Sequence, residues 1–188
     1  DLVEIVYADL TDERSLDSGL EGVDTLLHTA AIFSLSPLDA KSMISINPSS
    51  TKTLLTSAVK HELKQTVYVS TMGVFAPISG GDINENTETS TGLGPYTKSK
   101  IESEKIARDF QHGGAPVNIV YPGGIFGPKD PNPNLSDSMG MLTEILKRNL
   151  GLTASSAKLA MVDVRDVADV CVGALEVESK NARYHAWG

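Results

Sequence analysis

Short runs of β-branched and apolar residues alternate along this chain with longer segments of helical periodicity. The runs at Val3–Tyr7, Thr25–His28, Thr66–Ser70, Val117–Tyr121 and Arg183–Ala186 are typical of buried strands. Strands separated by helices form parallel sheets, because each right-handed crossover returns the chain to the same end of the sheet. The alternation therefore predicts a doubly wound α/β domain whose parallel sheet is covered on both faces.

Capping residues indicate where the helices begin. Asp12 is expected to cap a short helix, and Asn47 is expected to cap a second helix with Pro48 in its first turn. Pro95 is expected to open a third helix that ends at Phe110. These helices would form the crossovers between successive strands.

Composition and charge argue against several classes of function. The formal net charge of −8 and the scattered Lys and Arg residues predict no nucleic-acid surface, because phosphate binding needs clustered cations. No two histidines have metal-ligand spacing, and Cys171 in its apolar helical pattern is expected to be buried in a reducing compartment. No apolar run approaches the roughly 20 residues that span a bilayer, and no signal peptide is visible. We therefore expect a cytoplasmic protein without a metal or membrane site.

Tyr96 and Lys100 form a Y-x-x-x-K pair on the third predicted helix. Residues four apart share a helix face, so the two side chains would project into one site. A free phenol has a pKa near 10, and a neighbouring ammonium would lower it toward the range of an acid-base catalyst. Such pairs also occur on solvated helix faces, so the motif is weak when it stands alone. Thr71, at the end of a predicted strand, is the expected partner of the pair.

The pair belongs to an ordered series of motifs. The series comprises Asp9-Leu10-Thr11-Asp12, His28-Thr29-Ala30-Ala31, Asn47–Thr51, Ser70-Thr71, Tyr96 with Lys100, Tyr121–Pro128 and Val162–Ala168. Together these motifs resemble the extended short-chain dehydrogenase/reductase superfamily, specifically its NAD-dependent epimerase/dehydratase and dihydroflavonol-reductase-like branches. The resemblance covers essentially all 188 residues. It implies a Rossmann fold, NAD or NADP as cofactor, a small-molecule substrate, and a homodimer formed through two of the helices.

The resemblance implies a role for individual residues. Tyr96 would be the catalytic acid-base, Lys100 would hold the nicotinamide ribose, and Thr71 would hydrogen-bond the substrate oxygen. The implied cofactor-binding residues are Asp9 and Leu10 at the adenine, Ala30 and Ala31 beside the ribose and phosphates, and Lys100, Tyr121, Pro122, Gly123, Gly124 and Ile125 at the nicotinamide half. Asn47 matches an asparagine that the family uses structurally or in a proton relay. From the residues alone, a turn at Asp9 and a tight turn at Gly123-Gly124 remain as alternatives.

One family motif is missing from the sequence. The G-x-x-G-x-x-G loop that sets a pyrophosphate against a helix N-terminus does not occur. In the strand order 3-2-1-4-5-6, Val3–Tyr7 would be the third strand and Thr25–His28 the fourth, with strands one and two between them. We therefore expect residues 1–188 to form one N-terminally incomplete Rossmann-type domain, with substrate-lobe segments at about 76–93 and 123–157.

Three positions bear on the type of reaction. Met72 and Gly73 stand where sugar-nucleotide dehydratases carry an Asp-Glu pair, which disfavours dehydration. Tyr121 replaces an Arg that often reaches a phosphorylated substrate group, which disfavours sugar nucleotides. The expected function is an NAD(P)-dependent oxidoreductase acting on a carbonyl or alcohol. The alternatives are a sugar-nucleotide epimerase and, in another class, a non-catalytic cofactor-sensing or scaffold protein.

Overall fold

The main sheet of the molecule is parallel. The computed structural model describes residues 2–34, 36–75, 82–84, 86–92, 94–130, 160–177 and 181–187. The strands are β1 (Thr25–His28), β2 (Gln65–Val69), β3 (Val117–Pro122), β4 (Gly124–Phe126), β5 (Met161–Asp163) and β6 (Arg183–Ala186). The main sheet has the order β1-β2-β3-β6, and β4 pairs with β5 in a separate parallel ribbon. The register pairs Leu27 with Val67 and Val120 with Tyr184.

Helices cover both faces of the main sheet, as the sequence predicts. They are α1 (Glu13–Ser18), α2 (Ala40–Lys60), α3 (Pro95–His112) and α4 (Val164–Glu176). Successive residues of a strand point to opposite faces of the sheet, so the core forms two clusters. In the first cluster, Tyr68 and Ile119 pack with Leu55 of α2 and Ile101 of α3. The opposite face buries a second cluster, formed by Val67, Val120, Val167, Cys171 and Ala174. The doubly wound α/β prediction is confirmed, and so is the burial of Cys171.

The predicted strand at Val3–Tyr7 is wrong. These residues form no strand, and the apolar side chains between Leu2 and Tyr7 are each 60% exposed or more. A strand needs hydrogen-bonded neighbours at about 4.8 Å, and the expected strand order places two other strands between this segment and β1. Local β propensity cannot by itself supply that partner.

The first helix agrees with its predicted cap, whereas the second begins earlier than predicted. The Asp12 carboxylate accepts a hydrogen bond from the Arg14 amide at 3.0 Å. Helix α2 starts at Ala40 rather than at Pro48, after a 3₁₀ turn at Pro37–Asp39. Pro48 lacks an amide hydrogen and removes one helical bond, but Met43 is buried on the preceding turn. Tertiary burial therefore outweighs the local signal at Pro48.

The described residues also bear on the predicted substrate-lobe segments and on membrane-spanning helices. The proposed substrate-lobe segments at about 76–93 and 123–157 lie partly outside the described residues. Among the helices of the described ranges, none combines the length and the apolar character that crossing a bilayer requires.

Candidate active site

A cavity of about 560 Å³ lies where β1, β2 and β3 end. The carboxyl ends of parallel strands are where open α/β sheets place their ligands. The cavity is lined by Thr29, Ala31, Phe33, Val69, Ser70, Thr71, Met72, Gly73, Tyr96, Lys100, Pro122, Gly123, Gly124, Ile125, Ala160 and Met161. The three predicted catalytic residues, Thr71, Tyr96 and Lys100, therefore line the same cavity.

The predicted cofactor-binding residues divide into two groups. Those that line the cavity are Ala31, Lys100, Pro122, Gly123, Gly124 and Ile125, whereas Asp9, Leu10, Ala30 and Tyr121 are outside its lining. The Asp9 carboxylate accepts hydrogen bonds from the Thr11 hydroxyl at 2.6 Å and amide at 2.7 Å. These bonds lower the pKa of Asp9. Asp9 therefore organises a local turn, and its contact with an adenine stays a prediction.

Lys100 lines the cavity although the residue is almost entirely buried. Its side chain is 3% exposed, and Nζ donates to the Val69 carbonyl at 2.9 Å. Nζ also lies 4.5 Å from the centroid of the Tyr68 ring. Burial lowers the pKa of Lys100 to about 8, with Glu104 acting in the opposite direction. Keeping Lys100 charged in this buried position therefore destabilises the folded protein. Tyr96 precedes Lys100 by about one helical turn.

Tyr96 lies in the first turn of the same helix and faces Phe33. The two rings meet edge to face with centroids 4.5 Å apart. Burial raises the pKa of Tyr96, because a phenolate would lose solvation there. The predicted net lowering of this pKa is wrong for the structure described, because burial raises it. The Lys100 ammonium is bonded to the Val69 carbonyl and lies over the Tyr68 ring.

Two adjacent hydroxyl groups follow β2. Thr71 Oγ1 accepts a hydrogen bond from the Gly73 amide at 3.1 Å. Ser70, which the sequence analysis did not single out as a site residue, is buried, and its Oγ has no hydrogen-bond partner among the described residues. Its signal in the sequence was its place directly before Thr71. An unpaired buried hydroxyl costs about 1–3 kcal/mol, so a ligand group bonded to Ser70 would remove that penalty.

Asn47 connects the loop after β1 to the start of α3. Its Oδ1 accepts from the Ile32 amide at 2.8 Å, and its Nδ2 donates to the Ile32 carbonyl at 2.9 Å. Nδ2 also donates to Ser99 Oγ at 3.0 Å, and Ser99 Oγ donates to the Tyr96 carbonyl at 2.7 Å. The predicted cap at Asn47 is wrong, since the residue lies inside α2. It acts as a clamp that positions Tyr96.

Replacing Asn47 by Ala is expected to lower the free energy of unfolding by about 3 kcal/mol, because the three hydrogen bonds of a buried side chain are lost. The matched control is Asn118→Ala, which removes bonds to Ala174 and Ala182 at 2.8 Å each. Urea denaturation should show both losses. Hydrogen exchange should show faster exchange of the Ile32 amide in Asn47→Ala alone. Equal protection of Ile32 in both variants would contradict the clamp.

The glycines after β3 allow close contact between protein segments. A Cβ at Gly123 would lie 2.6 Å from the Ala160 carbonyl oxygen, and one at Gly124 would lie 2.8 Å from Met161 Sδ. Such distances exclude a side chain without movement of the backbone or of Met161. Gly123 and Gly124 thus let β4 pack on β5.

Tyr121 points away from the cavity. Its side chain is buried in the core with Phe75, and its hydroxyl donates to Glu104 Oε1. Arg108 Nη2 contacts the same hydroxyl at 3.4 Å. The strand directs side chain 121 toward α3, and the expectation that Tyr in place of Arg disfavours sugar nucleotides stays a prediction. A cofactor contact by Tyr121 could involve only its backbone.

No group of three or more His, Cys, Asp or Glu side chains in the described ranges could hold a metal ion. Within the described wall of the cavity, the ionisable side chains are Tyr96 and Lys100. The chemistry that this wall can perform is proton transfer to and from an oxygen atom, next to a single cation.

Comparison with known proteins places these features in a family. The sequence profile of the NAD dependent epimerase/dehydratase family matches residues 1–187. The chain is 34% identical over 136 residues to sterol demethylase protein B of Methylococcus capsulatus, covering 71% of the chain and 41% of that protein. It is 28% identical over 169 residues to a putative dihydroflavonol 4-reductase of Synechocystis, covering 88% and 48%.

Among solved structures, the fold is similar to that of a dTDP-glucose 4,6-dehydratase from Streptomyces venezuelae, crystallised as a double mutant with NAD and DAU bound. The TM-score is 0.78 at 26% sequence identity, covering 95% of the chain and 56% of the dehydratase. The chain thus spans about half the length of the proteins it matches.

Proposed function

Because the chain belongs to the NAD dependent epimerase/dehydratase family, we propose that the full-length protein is an NAD(P)-dependent oxidoreductase that interconverts a carbonyl and an alcohol. The observation that carries the proposal is the presence of Thr71, Tyr96 and Lys100 in the lining of one cavity at the ends of parallel strands. The similarity to a dihydroflavonol reductase supports this reaction class.

The described residues fit the nicotinamide half of the cofactor. The unpartnered Ser70 hydroxyl and the Lys100 ammonium supply polar groups in a wall that is otherwise largely apolar. We assign Ser70, Lys100 and the backbone from Pro122 to Ile125 to this half, Ala30 and Ala31 to the ribose and phosphates, and Asp9 and Leu10 to the adenine. When bound, the nicotinamide supplies or accepts the hydride.

The proton in this reaction belongs to Tyr96. Its raised pKa keeps the phenol protonated at neutral pH, ready to donate to a substrate oxygen as a carbonyl is reduced. The Lys100 ammonium stabilises the phenolate that remains. Thr71 Oγ1, held by the Gly73 amide, orients the substrate oxygen through its own hydroxyl hydrogen. Alcohol oxidation uses the same groups in reverse.

Dehydration and sugar-nucleotide epimerisation are less consistent with the cavity wall. Met72 and Gly73 line the cavity after Thr71, and the described lining contains no carboxylate that could remove or deliver a second proton. Lys100 is the single cation of the described lining, and its Nζ is bonded to the Val69 carbonyl. A diphosphate would favour additional cations. A simple ketone or aldehyde is therefore the preferred substrate class.

A second cavity of about 430 Å³ supports an uncharged substrate. It shares Phe33 and Tyr96 with the first cavity and is also lined by Pro37, Met43 and Pro95. Its described lining has no charged side chain. An apolar portion of the substrate would be favoured there, with its carbonyl beside Tyr96.

The proposal is tested by offering NADH and NADPH to the full-length protein with a panel of aromatic and aliphatic ketones and aldehydes. We expect oxidation of one cofactor with uncharged carbonyl substrates and none with UDP-sugars. Epimerisation of a UDP-sugar without net cofactor oxidation would replace the proposal by the epimerase alternative. Cofactor binding without turnover of either class would favour the sensing or scaffold alternative.

A further inference from the structure

Glu104 is a fully buried carboxylate on the helix that carries Tyr96 and Lys100. It is 0% exposed and lies four residues after Lys100, so all three residues share one face of α3. Burying a carboxylate costs several kcal/mol unless hydrogen bonds and opposite charges offset the lost solvation. The hydrogen-bond and ion-pair partners of Glu104 therefore indicate which neighbouring groups its charge can affect.

The partners of Glu104 satisfy only one of its two oxygens. Oε1 accepts from the Tyr121 hydroxyl and from Arg108 Nε, the latter at 2.9 Å. Oε2 is buried and has no hydrogen-bond partner among the described residues. Charges in the protein interior are screened less than they are in water, so a buried carboxylate acts on other buried groups nearby.

The groups that face Lys100 come from three elements. On α3 they are Tyr96 and Glu104, and on β2 the Tyr68 ring and the Val69 carbonyl. On β1, His28 is kept neutral at pH 7, because burial, and secondarily Lys100, lowers its pKa to about 3. Burial also raises the pKa of Tyr68 well above its ordinary value. Of these groups, Glu104 is the carboxylate, and its charge opposes the effect of burial on the pKa of Lys100.

We propose that Glu104 is a positioning residue, whose buried carboxylate keeps Lys100 in the charged form that the chemistry of Tyr96 requires. This inference rests on the proposed function of Tyr96 and Lys100. Glu104 is not part of the described cavity lining, so it acts on the reaction through Lys100. Tyr121 and Arg108 hold the carboxylate in place.

The charge of Lys100 can be measured without turnover. In protein labelled with ¹³Cε-lysine, the Lys100 resonance should titrate near pH 8. In Glu104→Gln the midpoint should fall by about one pH unit, because the nearby anion is lost. Tyr121→Phe is the matched control, since it removes a hydrogen bond and keeps the carboxylate, and its midpoint should stay near that of the wild type. An unmoved midpoint in folded Glu104→Gln overturns the inference.

A second variant covers the case in which Glu104→Gln does not fold. The double variant Glu104→Met with Arg108→Met replaces the ion pair by apolar side chains, a change that buried pairs often tolerate. Its Lys100 midpoint should also fall, since the lost anion is one turn from Lys100 and the lost cation is two turns away. A midpoint equal to that of the wild type would again overturn the inference.

Kinetics supply a readout that a purely structural role would not move. The alkaline limb of the kcat profile for ketone reduction should move to lower pH in Glu104→Gln, with roughly five-fold lower activity at pH 8 and little loss at pH 6. A structural defect would lower kcat at every pH. If the wild type reduces no carbonyl substrate, the proposed function fails, and the lysine titration still decides the role of Glu104.

Discussion

Replacing Tyr96 by Phe is expected to lower the turnover of the full-length protein by about 10²–10⁴-fold and to leave cofactor binding intact. The magnitude is that of general acid catalysis by a positioned side chain. The substitution removes one oxygen atom and retains the ring that packs against Phe33 at 4.5 Å, so the fold should not change. Initial rates give kcat, and fluorescence titration with NAD(P)H gives the cofactor Kd.

The control for this prediction is Tyr184→Phe. Tyr184 lies on β6, packs against the cluster on the opposite face of the sheet, and is not part of the cavity lining. The same atom is removed there, so turnover should equal that of the wild type. Activity in Tyr96→Phe within a few-fold of the wild type would refute Tyr96 as the acid-base.

The strands show which parts of the fold a sequence can predict. β1, β2, β3 and β6 lie within one residue of the predicted runs. In β2 and β3 nearly every residue is buried, which agrees with the strand signal of a sheet covered on both faces. Val3–Tyr7 has the same local signal but is no strand, since strand formation depends on a neighbour elsewhere in the chain. The start of α2 was not predicted for a related reason. Met43 is buried by tertiary contacts, which the local sequence does not reveal.

The candidate site, like the fold, could be predicted in part from the sequence. The meeting of Thr71, Tyr96 and Lys100 could be predicted, because a parallel sheet brings the ends of its strands together and a helix aligns residues four apart. The clamp at Asn47 could not, since it joins Ile32 and Ser99, which are 15 and 52 residues away. The orientation of Tyr121 could be predicted only in part. Strand alternation predicts two faces but does not say which one meets α3.

Replacing Lys100 by Met is expected to stabilise the folded protein while it weakens function. The pKa of Lys100 falls from an ordinary 10.5 to about 8 in the folded state. At pH 7 the burial of its charge therefore costs about 3 kcal/mol, and loss of the bond to Val69 would offset about 1 kcal/mol of that gain. The free energy of unfolding, measured in urea, should rise by about 2 kcal/mol. Carbonyl reduction should fall by at least about 100-fold, with weaker cofactor binding.

The pH dependence of this gain follows from the same cause. Between pH 8 and 10.5 folded Lys100 is neutral whereas the unfolded lysine still binds a proton, so raising the pH stabilises the wild type. Lys100→Met lacks this gain, and the stability difference should shrink across that range. Lys98→Met, on the exposed side of the same helix, should change neither quantity. A variant at Lys100 that is less stable than the wild type at pH 7 would mean that the cation is there to hold the fold. A more stable and inactive variant would mean that the buried charge of Lys100 lowers stability and is retained because the reaction needs it.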